Sequence, residues 1–435
     1  NYCRHMSTEP KTVAFHTMGC KLNFSETSTI SRDFIQQGFK KVNYRDKADI
    51  YVINTCSVTE NADKEARKLV RQAKRRNPDS SVAIIGCYAQ LKPDEIANLD
   101  GVDMVLGAEE KFNILNHIDK MAMSQDTTVF NSSIENLKNF KPSYSIGDRT
   151  RSYLKVQDGC DYTCSFCTIP LARGKSRNAD VITTIQKARE IESYGVKEIV
   201  LTGVNVGDFG SNGDETFLDL IFKLDNLENI KRIRISSIEP NLLNEEIIEF
   251  CCSSNLFMPH YHMPLQSGSN KLLKAMRRRY DREHYRHKVN LIKSLDPSAC
   301  IGADVIVGFP GETDDDFLDT YNFVKDLDLA YLHVFSYSER ENTDAKNYEN
   351  SVPKAKRAER SKVLRNLSNK KRQNFQEEHL NRARDILFES MKGGYAFGYS
   401  DNYIQVKVPG SPELINSIYS VNFKKVNGEV VLGEL

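Results

Sequence analysis

The chain has 435 residues, 40% hydrophobic and 27% charged, with 60 Lys/Arg against 59 Asp/Glu. That length predicts about three domains, and the near-neutral balance excludes a disordered chain or a polycation that gathers nucleic acid through its overall field. No run of about 18 apolar residues occurs and no signal peptide is read at the start, so a cytoplasmic protein with reduced thiols and no membrane partner is expected.

Residues 1–5 read as a cloning junction ahead of Met6, which sets Cys3 aside. Over 6–120, apolar runs at 12–17, 50–55, 82–86 and 102–106 alternate with helical patterns at 25–37, 62–76 and 93–99. That alternation predicts an α/β domain with a doubly wound parallel sheet. Cys20 follows the first strand, and Cys56 and Cys87 end the second and third. Ligands of such sheets gather outside the carboxyl ends of the strands, so the three thiols are expected to converge.

Residues 121–145 read as a linker, within a polar stretch that runs to 149. From 146 to 350, six strand patterns (153–157, 198–202, 232–236, 260–264, 300–307 and 331–335) are separated by helical ones at 180–194, 216–224, 244–251, 282–294 and 314–327. Six such units with no closing pair predict an open (β/α)6 partial barrel, with the loop after its first strand on the carboxyl-edge rim. Residues 353–384 read as a basic helix, with eleven Lys/Arg against three Glu between Lys354 and Arg384. The stretch 375–435 holds short strand patterns such as 403–408 and 429–432, predicting a small β-barrel. Helix and barrel together suit an RNA-binding module, the alternative being a structural cap with a solvated charged helix.

The rim loop carries Cys160, Cys164 and Cys167 as C-x3-C-x2-C. A closed cubane cluster takes four thiolates, so three close together leave one iron open to a substrate or cofactor. Zinc is the rival ligand, but its sites pair C-x2-4-C with a second Cys or His pair, and His260 and His262 lie far downstream. Cys251, Cys252 and Cys300 fall within helix and strand patterns and read as core thiols.

The loop Gly159-Cys160-Asp161-Tyr162-Thr163-Cys164-Ser165-Phe166-Cys167 resembles the signature of radical S-adenosylmethionine enzymes. With Cys20, Cys56 and Cys87 added, the chain resembles the methylthiotransferase family from end to end. The resemblance runs through Thr17-Met18-Gly19-Cys20-Lys21-Leu22-Asn23, Asn54-Thr55-Cys56 and Arg173-Gly174. It continues through His262-Met263-Pro264-Leu265-Gln266-Ser267-Gly268-Ser269 and through the stretch from Asp304 to Glu312. The segments Leu201–Gly207 and Met276–Tyr280 look most like the branch acting on N6-threonylcarbamoyladenosine beside the tRNA anticodon.

The resemblance implies two [4Fe–4S] clusters, a radical one on Cys160, Cys164 and Cys167 and an auxiliary one on Cys20, Cys56 and Cys87 that supplies sulfur. It implies S-adenosylmethionine as both methyl donor and radical source, with contacts from Phe166, Gly203, Asn205, Gln266, Asp304 and Gly308. Arg173 would meet the substrate's carboxylate in two-pronged fashion, and Lys175 a phosphate or a structural partner. The product would be the C2-methylthiolated base, and the electrons would come from a low-potential donor such as flavodoxin or ferredoxin. The tail would be a TRAM-like domain that binds the anticodon stem-loop with the basic segments 64–76 and 271–288. Variants of the reading are the same reaction on isopentenyladenosine of tRNA or on an aspartate of a ribosomal protein. A non-catalytic iron–sulfur RNA-binding protein is the reading from a different class.

Overall fold

The computed structural model describes residues 9–56, 60–123, 126–147 and 150–435, so the reading of residues 1–5 falls outside the described residues. The chain forms two compact units. The first comprises Asn1–Ser145, Asp158–Asp161 and Thr168–Arg177; the second comprises Ile146–Gln157, Tyr162–Cys167 and Asn178–Leu435.

The first unit is built on β1 (Thr12–Thr17), β2 (Lys40–Val42), β3 (Ile50–Thr55), β4 (Ser81–Gly86), β5 (Met104–Leu106) and β6 (Thr128–Phe130). All six run parallel in the order β2-β1-β3-β4-β5-β6. β3 is buried along its whole length, as the run Ile-Tyr-Val-Ile-Asn-Thr requires of a strand covered by helices on both faces. One core, with Tyr51, Ile53, Val82 and Ile84, packs beneath helix Glu60–Arg76. The other, with Val13, Val52, Ala83 and Ile85, packs with Ile30 and Phe34 of helix Lys21–Gln36.

The stretch read as a linker differs from that expectation. Thr128–Phe130 joins the sheet as its last strand, in register with β5, and Phe130 stacks on His117 at 3.9 Å. Three residues in polar surroundings carry too little periodicity to read as a strand. The two-residue strand β7 (Ser143–Tyr144) lies along helix Lys21–Gln36, where Arg32 donates to the Tyr144 carbonyl at 3.0 Å.

The second unit carries β8 (Arg151–Lys155), β9 (Glu198–Thr202), β10 (Arg232–Ile235), β11 (His260–His262), β12 (Cys300–Val307) and β13 (Tyr331–Ser336). β8, β9 and β10 pair in parallel, as do β11, β12 and β13, and a single bridge from Ile233 to Phe257 links the two sets. Strand order follows the sequence, with helices between, as a partial barrel requires.

The remaining strands, β14 (Ala383–Lys392), β15 (Tyr395–Ser400), β16 (Gln405–Pro409), β17 (Ile418–Asn427) and β18 (Val430–Glu434), close into a barrel in the order β14-β15-β16-β18-β17. Register shifts at Phe388/Ser390 and Phe423/Lys425 supply the local coiling that closure needs. The barrel docks on arginines of β10. Arg232 donates to the carbonyls of Tyr399 and Asp385, and Arg234 to those of Asp401 and Ser400, while buried Glu198 bonds Arg234 Nε at 2.8 Å.

Helix Lys354–Glu377 lies against β13, where Ser368 bonds both the N–H and the carbonyl of Leu332. Much of its positive charge is spent inward. Arg357 and Arg360 are buried, the first on Glu339 and the Tyr337 carbonyl, the second on Glu312. Lys354, Lys362, Arg365 and Lys370 remain exposed. The helix is therefore mainly a structural cap, with a basic outer edge.

Candidate functional site

In the sheet order of the first unit the chain turns between β1 and β3, since β2 lies outward of β1 and β4 to β6 lie outward of β3. This is the switch point of a doubly wound sheet, where a crevice opens at the carboxyl edge. Cys20 follows β1, Cys56 follows β3 and Cys87 follows β4. Cys20 caps helix Lys21–Gln36, which starts four residues before its sequence pattern. The space is close: a Cβ on Gly19, at φ +87°, would lie 2.7 Å from Cys56 Cβ and 3.0 Å from its Sγ. Burial pushes the Cys87 thiol up, against the opposing pull of Arg173 and Lys111, and Cys20 is close enough to add to the upward push.

Gly86 sets Cys87 at this edge. Its φ of +98° is a glycine conformation, and a Cβ there would stand 2.4 Å from Asn54 Oδ1 and 2.5 Å from the Thr55 carbonyl. Gly86→Ala is expected to cost roughly 1–3 kcal/mol in backbone strain, before any clash is relieved. Thermal unfolding and bound iron are the measurements, and unchanged values for both would contradict this placement.

Arg173 ends a short helix (Ile169–Arg173) and is 2% exposed. It donates to Asp158 Oδ1 at 2.9 Å, to Asn23 Oδ1 at 2.6 Å, and to both Glu26 oxygens at 3.2 and 3.3 Å. Glu26 also accepts from Lys111 Nζ at 2.6 Å, and Arg177 pairs with Asp158 at 3.1 Å. Both Nη groups of Arg173 are thus engaged by buried partners within the first unit, the arrangement of a residue that positions its neighbours. Lys175 is exposed. In the same unit the Cys160 N–H donates to the Gly174 carbonyl at 3.0 Å.

Cys164 and Cys167 belong to the second unit, where the Cys167 N–H donates to the Cys164 carbonyl at 3.1 Å and turns the loop. Arg278 donates to Cys164 Sγ at 3.1 Å and is itself held by Glu239. Burial raises the Cys164 thiol and Arg278 opposes it. Phe166 meets Phe309 edge-on at 6.4 Å and joins a cluster with Leu272, Met276 and Ile306.

The other expected cofactor contacts divide. Gly203 leaves room for Gln157, whose Oε1 would sit 2.9 Å from a Cβ there and accepts the Asn205 N–H at 2.9 Å. Asn205 Nδ2 is buried without a hydrogen-bond partner among the described residues. Gln266, at φ +69°, bridges Val305 through its backbone, and such strain in a non-glycine residue is typical of binding sites. Gly308 serves the turn: φ is +74°, its N–H meets Glu312, and a Cβ would strike Arg357.

Asp304 accepts from His262 Nε2 at 2.9 Å and from His333 Nδ1 at 3.2 Å. Burial resists its ionisation, yet those hydrogen bonds hold its carboxyl well below the usual carboxylate range. His333 drew no notice in the sequence because its partner lies 29 residues earlier on a neighbouring strand. Lys111 and Glu26 were missed for a similar reason, their contacts spanning 85 and 147 residues. Cys251 and Cys300 are buried core thiols, the latter pushed up to about 12 by burial, and Cys252 bonds the Tyr261 hydroxyl.

The residues fit iron–sulfur groups. Cys20, Cys56 and Cys87 are soft sulfur donors at one sheet edge, and the described cysteines beyond the two triplets lie in the second unit's helix Glu245–Ser253 and in β12. Asn205, with its orphan donor, fits a polar cofactor beside the second unit's strands. Residues 154–324 match the radical S-adenosylmethionine superfamily, and residues 12–107 match a family described as "Uncharacterized protein family UPF0004". The solved structure of the methyltransferase TsrM from Kitasatospora setae shares the fold, with a TM-score of 0.57 at 13% identity over 78% of this chain and 77% of that one. Fold and site thus define a radical S-adenosylmethionine enzyme. The threonylcarbamoyladenosine tRNA methylthiotransferase MtaB of Bacillus subtilis is 39% identical, over 95% of this chain and 94% of that protein. The tRNA-2-methylthio-N(6)-dimethylallyladenosine synthase of Endomicrobium trichonymphae is 30% identical, over 96% and 98%. The chain belongs to the radical S-adenosylmethionine tRNA methylthiotransferase family.

Proposed function

We propose that the chain installs a methylthio group at C2 of N6-threonylcarbamoyladenosine next to the anticodon of tRNA. The observation that carries the reading is the second cysteine triplet: Cys20, Cys56 and Cys87 at the switch point of one sheet, apart in sequence from Cys160, Cys164 and Cys167. Two triplets offer two clusters with an open iron each, which a redox or structural role does not need. When bound, these [4Fe–4S] groups and S-adenosylmethionine supply the radical, the sulfur and the methyl group.

The chain's own residues place and shield them. Gly19 keeps Cys20 and Cys56 close, Arg278 holds the Cys164 sulfur, and the Arg173–Glu26–Lys111 network walls the first unit's edge. Phe166, Asn205, Gln266 and Asp304 are the candidates to line the S-adenosylmethionine site. A low-potential donor such as flavodoxin or ferredoxin delivers the electron, and the cytoplasm suits its reduced thiols. No helix among the described residues is long and apolar enough to cross a membrane.

The tRNA would meet exposed bases of both units, Lys64, Lys68, Arg71 and Arg75 in the first and Lys271, Lys274, Arg277 and Arg279 in the second, with the five-stranded barrel as a TRAM-like module. Log affinity for tRNA is then expected to fall with log salt by about 0.7–0.9 per phosphate neutralised. A flat titration would remove these residues from the interface. The substrate itself is tested by mass spectrometry of tRNA nucleosides from a strain lacking the gene. Loss of the methylthio form of threonylcarbamoyladenosine is expected; loss of the methylthio-dimethylallyl form instead would overturn the assignment.

A further inference from the structure

His262 of β11, Asp304 of β12 and His333 of β13 stand on one face of the second unit's sheet. Register fixes this: His262 is level with Gly302, two residues before Asp304, and Asp304 is level with His333. Both imidazoles bond the same Asp304 Oδ1, and a carboxylate only accepts, so each ring donates one N–H to it. His262 Nδ1 and His333 Nε2 are left over.

The surroundings give this cluster a direction. Two residues earlier on the face, Tyr331 meets His260 at 2.9 Å, and Tyr403 of the C-terminal barrel stacks on His260 at 4.1 Å, forming an aromatic floor. Two residues later, Ile306 packs in the cluster that holds Phe166, the neighbour of Cys167. Asp304 therefore lies one step, about 7 Å along the strand, from Ile306, which packs in the cluster beside the cysteine loop. His333 is 49% exposed, so the face is open there. The arginine over the Tyr331 ring, Arg372 at 5.8 Å, is committed to Glu429.

We infer that this cluster reads the anionic substituent of the base, with His333 Nε2–H donating to the carboxylate of the threonylcarbamoyl group. The inference rests on the function proposed above. On the purine, C2 and N6 occupy different edges, so a base presenting C2 to the cysteine loop directs its N6 substituent elsewhere along this face. Asp304 is the counter-ion that aligns both rings. A metal ion is the competing occupant of two histidines and a carboxylate. Here one nitrogen of each ring is spent on the same Oδ1, an arrangement that favours the hydrogen-bonded reading.

The test uses the reconstituted full chain and two tRNAs, one carrying threonylcarbamoyladenosine and one its carboxamide. The wild type is expected to favour the acid in kcat/KM by about tenfold or more, as a charge-assisted bond exceeds a neutral one. His333→Phe is expected to erase that preference through KM, and His333→Gln to retain part of it. Unfolding midpoint and iron content report on folding, and His333→Gln carries the test where the larger ring perturbs them. An acid-to-amide ratio unchanged in both variants overturns the inference. So does one extra equivalent of zinc or iron, beyond the clusters, that disappears in His333→Phe. A wild type inactive on the acid tRNA overturns the function reading itself, and the inference with it.

Discussion

Cys87→Ala is expected to abolish methylthiolation and to lower bound iron from about eight to about four per chain, while S-adenosylmethionine cleavage continues. The first unit should remain folded, because β4 keeps its buried run of Val82, Ala83, Ile84 and Ile85 and loses a single sulfur. Cys20→Ala and Cys56→Ala belong with it. Alanine at Cys160, Cys164 or Cys167 is expected to abolish cleavage as well as sulfur transfer. Cys251→Ala, in the core of the second unit, should leave bound iron at about eight per chain. Full activity in the Cys87 variant would remove the second cluster from the account.

Arg173→Ala is expected to destabilise the first unit by about 3–5 kcal/mol, since it strips buried Glu26 and Asp158 of their shared partner. The ion group is fully packed: Glu26 has no exposed surface, and Lys111 alone would have to neutralise it. Denaturant unfolding followed in the first unit is the measurement. A free substrate-binding arginine would behave otherwise, with stability kept and KM raised, and that pattern would favour the role read from the sequence.

The contrast between these two sites shows what the chain made legible. The cysteines sit where apolar runs end, and such runs mark strand ends because a sheet covered on both faces needs them. Hence β1, β3 and β4 and their thiols were readable in one dimension, as was the open strand–helix alternation of the second unit. Arg173 was not, because burial depends on partners 85 to 150 residues apart in the network. The basic helix was legible as a helix, but not which of its charges face inward. Net charge counts side chains without asking which way they point, yet Arg357, Arg360, Leu364 and Leu367 recur at helical spacing on one face. That periodicity would have placed both arginines inward with the leucines. His333 needed register across strands, which no local pattern supplies.

The most direct measurement is a single reaction of the reconstituted full chain with S-adenosylmethionine, a reductant and tRNA carrying threonylcarbamoyladenosine. Nucleosides and small products are quantified together. A base heavier by one CH2S is expected, with S-adenosylhomocysteine and 5′-deoxyadenosine each formed in equal amount to it. Cleavage of S-adenosylmethionine with no sulfur gained by the base, or sulfur gained with only one of the two by-products, would contradict it.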